Sequence, residues 1–242
     1  MTYFIAIPSY NRLQILQNKT LAFLRKHNID ESKIFLFVHP DSYQDYLLLK
    51  DNYPDIHIIE SRAGIKNSRN FITKFFNNGQ RIVSIDDDVK DLINLNTNQP
   101  ILDLKDFIDD SFNMTKDGIW GVSALDNAFF STCRDKFGLS SIVSTFCGYT
   151  NIKSIHLELD VMEDFERVIK FHNLGRTILK RGWVGIKTTY WTTRGGLQSI
   201  LNKDERIDKQ NYSAEILLGL YPDLCYIRTR KSGLKDIRFK KI

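Results

Sequence analysis

Arg81-Ile82-Val83-Ser84-Ile85-Asp86-Asp87-Asp88 is a short strand-like run, apolar on both faces, that ends at once in three carboxylates. A run that is apolar on both faces reads as a strand buried inside a parallel sheet. Three adjacent like charges repel one another, and a hard +2 ion held by carboxylate oxygens relieves that repulsion while staying free to bind phosphate. The triplet is therefore a candidate site for Mn²⁺ or Mg²⁺. The plainer alternative is an acidic turn capping a helix around Lys90 to Ile93.

Outward from this stretch the chain alternates strand-like and helix-like segments. Tyr3–Ile7 is followed by a helical Leu13–His27, Ile34–Val38 by Ser42–Asp51, and His57–Glu60 by a helix from Ile65 to Phe76. This is the rhythm of a parallel sheet flanked by helices. Ligands in such sheets bind beyond the carboxyl ends of the strands, so Ser9 to Arg12, His39 to Asp41 and the triplet should meet at one crevice. Beyond it, Leu104–Met114 reads as a helix, Ile119–Ala124 and Ser141–Cys147 as strands, Asp164–Asn173 as a helix, and Arg176–Tyr190 as a hairpin turning near Gly182.

The 242 residues, 42% apolar and 26% charged, suit one α/β domain with a buried core and exclude a disordered or fibrous chain. Cys133, Cys147 and Cys225 form no zinc or disulfide pattern, and no run approaches the roughly 20 apolar residues of a membrane span. A cytoplasmic protein with no membrane contact is expected. The net charge of +5 favours anionic partners. Seven cations, Arg228, Arg230, Lys231, Lys235, Arg238, Lys240 and Lys241, crowd the last fifteen positions, either as a solvated tail or as a surface for a polyanion.

Two further clusters carry chemistry. Gly64 to Asn70 places a glycine, Lys66, Arg69 and two amides at a helix start, an arrangement that attracts anions or simply forms a basic helix face. Glu158, Asp160, Glu163, Asp164 and Glu166 open another helix. Acids there complement the helix dipole, but one beside an acceptor hydroxyl could act as general base. His172 falls two turns after Asp164 on the same face, where it either reaches the crevice or complements the helix end.

Taken together, Ile7-Pro8-Ser9-Tyr10-Asn11-Arg12, Gly64 to Asn70, the triplet and Glu163-Asp164 resemble, in order and separation, the GT-A glycosyltransferases. The compact group of phages and large DNA viruses that includes the TET-associated glycosyltransferases is the nearest in pattern, over roughly residues 3 to 195. The resemblance implies a single-domain α/β GT-A fold, Rossmann-like, with a mostly parallel central sheet, residues 1–90 holding the nucleotide and 91–242 the acceptor. It implies a metal-dependent enzyme that moves a hexosyl or pentosyl unit from a nucleotide-sugar, a UDP-sugar foremost, to an acceptor hydroxyl with inversion.

By the same resemblance, Pro8, Ser9, Tyr10, Asn11, Arg12 and His39 cradle the nucleoside and Arg69 lies near the diphosphate. Asp86 and Asp88 take the outer positions of the DxD motif, Asp87 sits between them on the donor side, Trp120 and Gly148 line the sugar pocket, and Asp164 is the base. No histidine follows His172, so the metal ligand that many GT-A enzymes place near the C-terminus is missing. Thr192-Thr193-Arg194-Gly195-Gly196 reads as a lid or as an ordinary glycine turn. The acceptor is expected to be a hydroxymethylated pyrimidine of phage or viral DNA, with Tyr190, Trp191 and Tyr226 suited to an extruded base. A glycan or protein acceptor, a nucleotidyltransferase and a non-catalytic nucleic-acid-binding module are the alternatives.

Overall fold

Strand β1, Phe4–Ser9, alternates its side chains between two layers of core. Ile5 and Ile7 pack with Leu16, Leu21, Phe23 and Leu24, whereas Ala6 packs with Ile72, Phe76, Val168 and Phe171 on the other face. A computed structural model of the chain describes residues 2–188 and 203–241, and within them this two-layer packing extends across one large sheet.

The parallel half is built from β1, β2 (Ile34–Val38), β3 (His57–Glu60) and β4 (Arg81–Ile85), in the order β3-β2-β1-β4. β1 is joined to β2 by a helical stretch made of α1 (Leu13–Leu16), a π turn (Gln17–Leu21) and α2 (Ala22–Lys26). Between β2 and β3 the expected helix is a chain of short turns around α3, Tyr43–Tyr46. Helix α4, Ile65–Phe75, starts at Gly64, whose φ of 84° is one that a residue with a Cβ rarely adopts. Carbonyls at its far end, those of Thr73, Phe76 and Asn77, accept from the side-chain amide of Asn151.

The sheet continues from β4 through β9 (Phe146–Thr150), β7 (Ile119–Ser123) and β10 (Ile178–Thr188) to β5 (Val89–Asn94) and β6 (Gln99–Pro100), with β8 (Asp135–Phe137) also paired to β10. β5, β8 and β9 run against the other strands, so the sheet is mostly parallel in direction. Helix α5, Leu104–Thr115, covers the β1 layer that holds Ile5, and α6, Glu163–Asn173, covers the opposite one. A third cluster joins α6 to helix α7 (Lys203–Leu220) and the hairpin of β11 (Cys225–Thr229) and β12 (Lys235–Phe239).

Three expectations are corrected here. The expected hairpin over Arg176–Tyr190 does not turn at Gly182, because β10, Ile178–Thr188, runs straight through it with a register shift between Arg181 and Gly185, and Tyr190 lies outside the described residues. A Cβ on Gly182 would lie 2.4 Å from the carbonyl oxygen of Arg134, and one on Gly185 2.4 Å from that of Leu125. These glycines serve the close approach of the 124–134 loop, not a turn. The strand expected at Ser141–Cys147 begins only at Phe146. The basic C-terminal residues are not a free tail, since most of them belong to the β11–β12 hairpin.

Candidate active site

The strand order reverses at β1, which has β2 on one side and β4 on the other. The carboxyl ends of β1 and β4 therefore open side by side at the switch point where open α/β sheets bind ligands. The chain leaves β4 at the triplet and continues as strand β5, so no helix follows for the acidic turn to cap.

The three carboxylates have different surroundings. Asp87 is buried, accepts a 2.6 Å hydrogen bond from the Ser9 hydroxyl and lies 3.1 Å from the Arg12 guanidinium. Burial pushes its carboxyl up to about 6, against the pull of Arg12. Asp86 accepts from Arg69 at 3.2 Å, and its backbone carbonyl accepts from Thr20. Asp88 lies 3.6 Å from Arg12, and its carbonyl accepts from the Thr188 hydroxyl at the end of β10. Burial, then the charge of Asp86, raises the Asp88 carboxyl above its ordinary range. Such a carboxylate gains from a nearby cation.

Among the described residues no three His, Cys, Asp or Glu side chains form a metal cage. The donor set nevertheless fits a hard cation held at an open site, because Asp86 and Asp88 offer oxygen ligands and leave coordination positions for phosphate and water.

Several assignments change in three dimensions. Arg69 is buried, and its guanidinium donates to Glu163 at 3.0 Å, to the Ser84 hydroxyl at 2.9 Å and to Asp86. It is occupied as a brace between the triplet and α6 and does not reach out to a diphosphate. Lys66 is likewise paired, with Asp160 at 3.1 Å, and Asn70 exchanges two hydrogen bonds with the backbone of Leu157. Pro8 and Ser9 are buried beneath the crevice, Ser9 being bonded also to the Tyr46 hydroxyl at 2.6 Å. Tyr10 and Asn11 lie nearer the surface. The Tyr10 ring sits 4.1 Å from that of His39, whose Nδ1 accepts from the backbone N–H of Asp41.

Trp120 and Gly148 do not line a pocket. Trp120 is 0% exposed, enclosed by Phe107, Phe112 and Phe146. A Cβ on Gly148 would meet its indole at 2.3 Å. Both are core positions, the glycine making room for the ring. Gly148→Ala should therefore overpack a core that cannot yield, costing about 1–3 kcal/mol and lowering the melting temperature by about 2–4 °C per kcal/mol, with donor affinity of the folded protein unchanged. A thermal melt and a donor titration check this together.

The acidic cluster on α6 resolves cleanly. The Glu166 carboxylate accepts from the backbone N–H groups of Glu158 and Leu159 and pairs with Lys170 at 2.7 Å, so it braces the 158–159 segment. Glu163 holds Arg69, Asp160 holds Lys66, and Glu158 lies 3.6 Å from Lys170. Asp164 makes no ion pair among the described residues, and its carboxylate accepts from the N–H of Phe165. Burial, reinforced by the charge of Glu163, pushes its carboxyl well above the ordinary range, against the pull of Arg69. His172 lies in the last turn of α6, about 12 Å along the axis from Asp164.

Thr20, Tyr46, Thr188 and Lys19 belong to this site without any signal in the sequence. Burial lowers the Lys19 ammonium, against the pull of the Asp88 charge. The Thr192–Gly196 segment, with Tyr190 and Trp191, lies outside the described residues. No helix among the described residues is long and apolar enough to cross a membrane.

No model of a known protein family matches the chain, and no curated protein sequence matches it. Among solved structures, the mannosyltransferase PcManGT from Pyrobaculum calidifontis in complex with GDP-Man and Mn²⁺ is similar to it, with TM-score 0.56 and 11% identity over 88% of this chain and 64% of that one. TarS 1–349 of S. aureus in complex with UDP is similar with TM-score 0.53 and 13% identity, over 90% and 66%. The chain thus spans just under two thirds of each of these proteins. At such identities the likeness is one of architecture, and the architecture is the GT-A fold: one mixed α/β domain with a large, mostly parallel sheet between helices.

Proposed function

We propose that the chain is a metal-dependent glycosyltransferase that moves a sugar from a nucleotide-sugar, a UDP-sugar foremost, to an acceptor hydroxyl. The observation that carries this reading is the Asp86–Arg69–Glu163 bridge. It ties the carboxylates at the switch point to the start of α6, where Asp164 alone among the acids of that helix start makes no ion pair among the described residues. Residues 1–90 would form the nucleotide half and 91–242 the acceptor half.

Tyr10 and His39 offer adjacent rings at the ends of β1 and β2 against which a base can lie. Asp86 and Asp88 would hold Mn²⁺ or Mg²⁺, which when bound neutralises the departing diphosphate. Ser9, Arg12 and Asp87 fix the two strand ends from beneath, and Arg69 orients Asp86. Asp164 takes the proton from the acceptor hydroxyl as that oxygen attacks the anomeric carbon from the face opposite the diphosphate, which inverts the centre. The acceptor we propose is a hydroxymethylated pyrimidine in DNA, in keeping with the resemblance to the phage and viral group, and the reaction is placed in the cytoplasm.

Thermal-shift screening of UDP-, GDP- and CMP-sugars with and without Mn²⁺ tests the reading. A cognate donor at a hundredfold excess over Kd should stabilise by about 2.7 kcal/mol, a rise of about 5–10 °C, and only with the metal present. Stabilisation by nucleoside triphosphates together with pyrophosphate release, and none by any sugar nucleotide, would replace the transferase with a nucleotidyltransferase.

A further inference from the structure

Helix α6 carries a buried cation that has no acid partner among the described residues. Arg167 is 2% exposed, and its guanidinium lies over the Tyr149 ring of β9, 4.7 Å from the ring centre. Its Nε and Nη2 are both shut off from solvent, and neither donates a hydrogen bond. These two N–H groups share one edge of the guanidinium, the fork that grips a carboxylate through two parallel bonds. A buried fork left empty is unfavourable, so a nearby oxyanion is needed to fill it.

Spacing along α6 says which one. Asp164 stands three residues before Arg167 and Glu163 four, so both acids belong to the same helix face as Arg167. Helical side chains lean toward the preceding turn, which carries the Arg167 stem toward these two acids. Glu163 is already held by Arg69 at 3.0 Å, and Glu166 by Lys170 and the N–H groups of residues 158 and 159. Asp164 and Arg167 are the acid and the cation left over, about one helical turn apart.

The elements packed around this face supply Arg69, Asp86, Cys147 and Tyr149 as its other titratable groups. Arg69 of α4 donates to Ser84 of β4 and to Asp86. Ser84 lies directly opposite Cys147 of β9, and Tyr149 follows two residues on, on the same face of the sheet. Burial pushes the Cys147 thiol up to about 11, against the pull of Arg167 and Arg69, and keeps it protonated. On its other side α6 meets α7 and the C-terminal hairpin through Phe165 and Ile169.

We infer that Arg167 is the positioning residue of Asp164: the ionised Asp164 carboxylate docks side-on in the Nε–Nη2 fork, and the protonated acid leaves it. Burial and Glu163 favour the protonated form, and the fork favours the ionised one that a base needs. A carboxylate oxygen held in the fork keeps a second lone pair for the acceptor proton. Once that proton has passed from the acceptor oxygen to Asp164, the acid is neutral and the fork lets go. The inference rests on the proposed role of Asp164 as base.

The test is a titration of the Asp164 carboxyl by carboxyl-carbon NMR in the metal-free protein without substrate, its resonance assigned by its loss in Asp164→Asn. In Arg167→Gln the inflection should rise by about 1 pH unit or more, the shift expected when a cation is removed from beside a carboxylate. Arg167→Lys keeps the charge and the stem but not the fork, and should give a smaller rise. The pH profile of sugar transfer should move by the same amount. Transfer by Arg167→Gln should therefore lie about tenfold or more below wild type on the acid side and recover above the new inflection, with donor affinity unchanged.

An inflection that stays at its wild-type pH in both variants overturns the pair, even where the melting temperature falls, because Arg167 then serves the packing on Tyr149 alone. If Arg167→Gln does not fold, Arg167→Lys decides by the same criterion. A moved inflection in a protein that transfers no sugar upholds the pair and faults the transferase. Transfer whose pH profile ignores both variants faults the pair and leaves the transferase standing.

Discussion

Replacing Asp164 with Asn should cut sugar transfer at least about a hundredfold, the lower end of what a general base contributes, while donor and Mn²⁺ affinity stay near wild type. Asn keeps the oxygen that accepts from the N–H of Phe165, so the start of α6 should hold its shape. Transfer by the wild type should rise with pH as Asp164 ionises, with an inflection above the usual carboxylate range because burial and Glu163 favour the protonated form. The sign for stability is opposite. A carboxyl whose folded pKa is raised binds its proton more tightly in the folded state, so stability falls as pH rises from the unfolded pKa through the folded one. The Asn variant escapes that loss, and at neutral pH it should melt no lower than wild type. Steady-state rates with one donor and acceptor, together with melts at several pH values, decide the matter. Near-normal turnover would remove Asp164 from the mechanism. Glu166 is no substitute, because its carboxylate holds the backbone at 158 and 159 and its loss should lower stability instead.

Chelation with EDTA should abolish both turnover and donor-induced stabilisation, and added Mn²⁺ or Mg²⁺ should restore them. Asp88→Asn should reproduce most of that loss. Outer-shell changes at metal sites commonly cost about 10–100-fold, so loss of a direct carboxylate ligand should exceed about a hundredfold in donor affinity measured with the metal. The protein without metal should be as stable as wild type or more so, because burial and the charge of Asp86 already disfavour ionised Asp88. A titration of donor at fixed Mn²⁺, with a melt of the metal-free variant, distinguishes the cases. Full activity in excess EDTA would end the assignment of Asp86 and Asp88 as ligands, and a collapse of the metal-free variant would make Asp88 a structural residue.

The sequence by itself determined the parallel half of the sheet and the place of the crevice. β2 and β3 have the expected limits and β4 ends at the triplet, because buried strands are written as local apolar runs and stop where charge begins. It also marked the start of α6 as acidic, although helix-dipole complementarity hides there which acid matters. Only the tertiary structure decided which of those acids are paired. Arg69 was legible as a cation at a helix start, but its partners Ser84, Asp86 and Glu163 are up to 94 residues away, and their contact turns a supposed phosphate ligand into an internal brace. Glu163, Asp160, Glu158 and Glu166 each found a partner through the fold, leaving Asp164 apart. Trp120 and Gly148 became core because Phe107 and Phe112 of α5 and Phe146 of β9 enclose the indole, which lies against the glycine, and Lys136 met Lys180 because β8 and β10 pair. Periodicity and charge order are local properties of a chain. Which charge is neutralised, and which is left over to bind something else, depends on contacts between residues far apart in sequence.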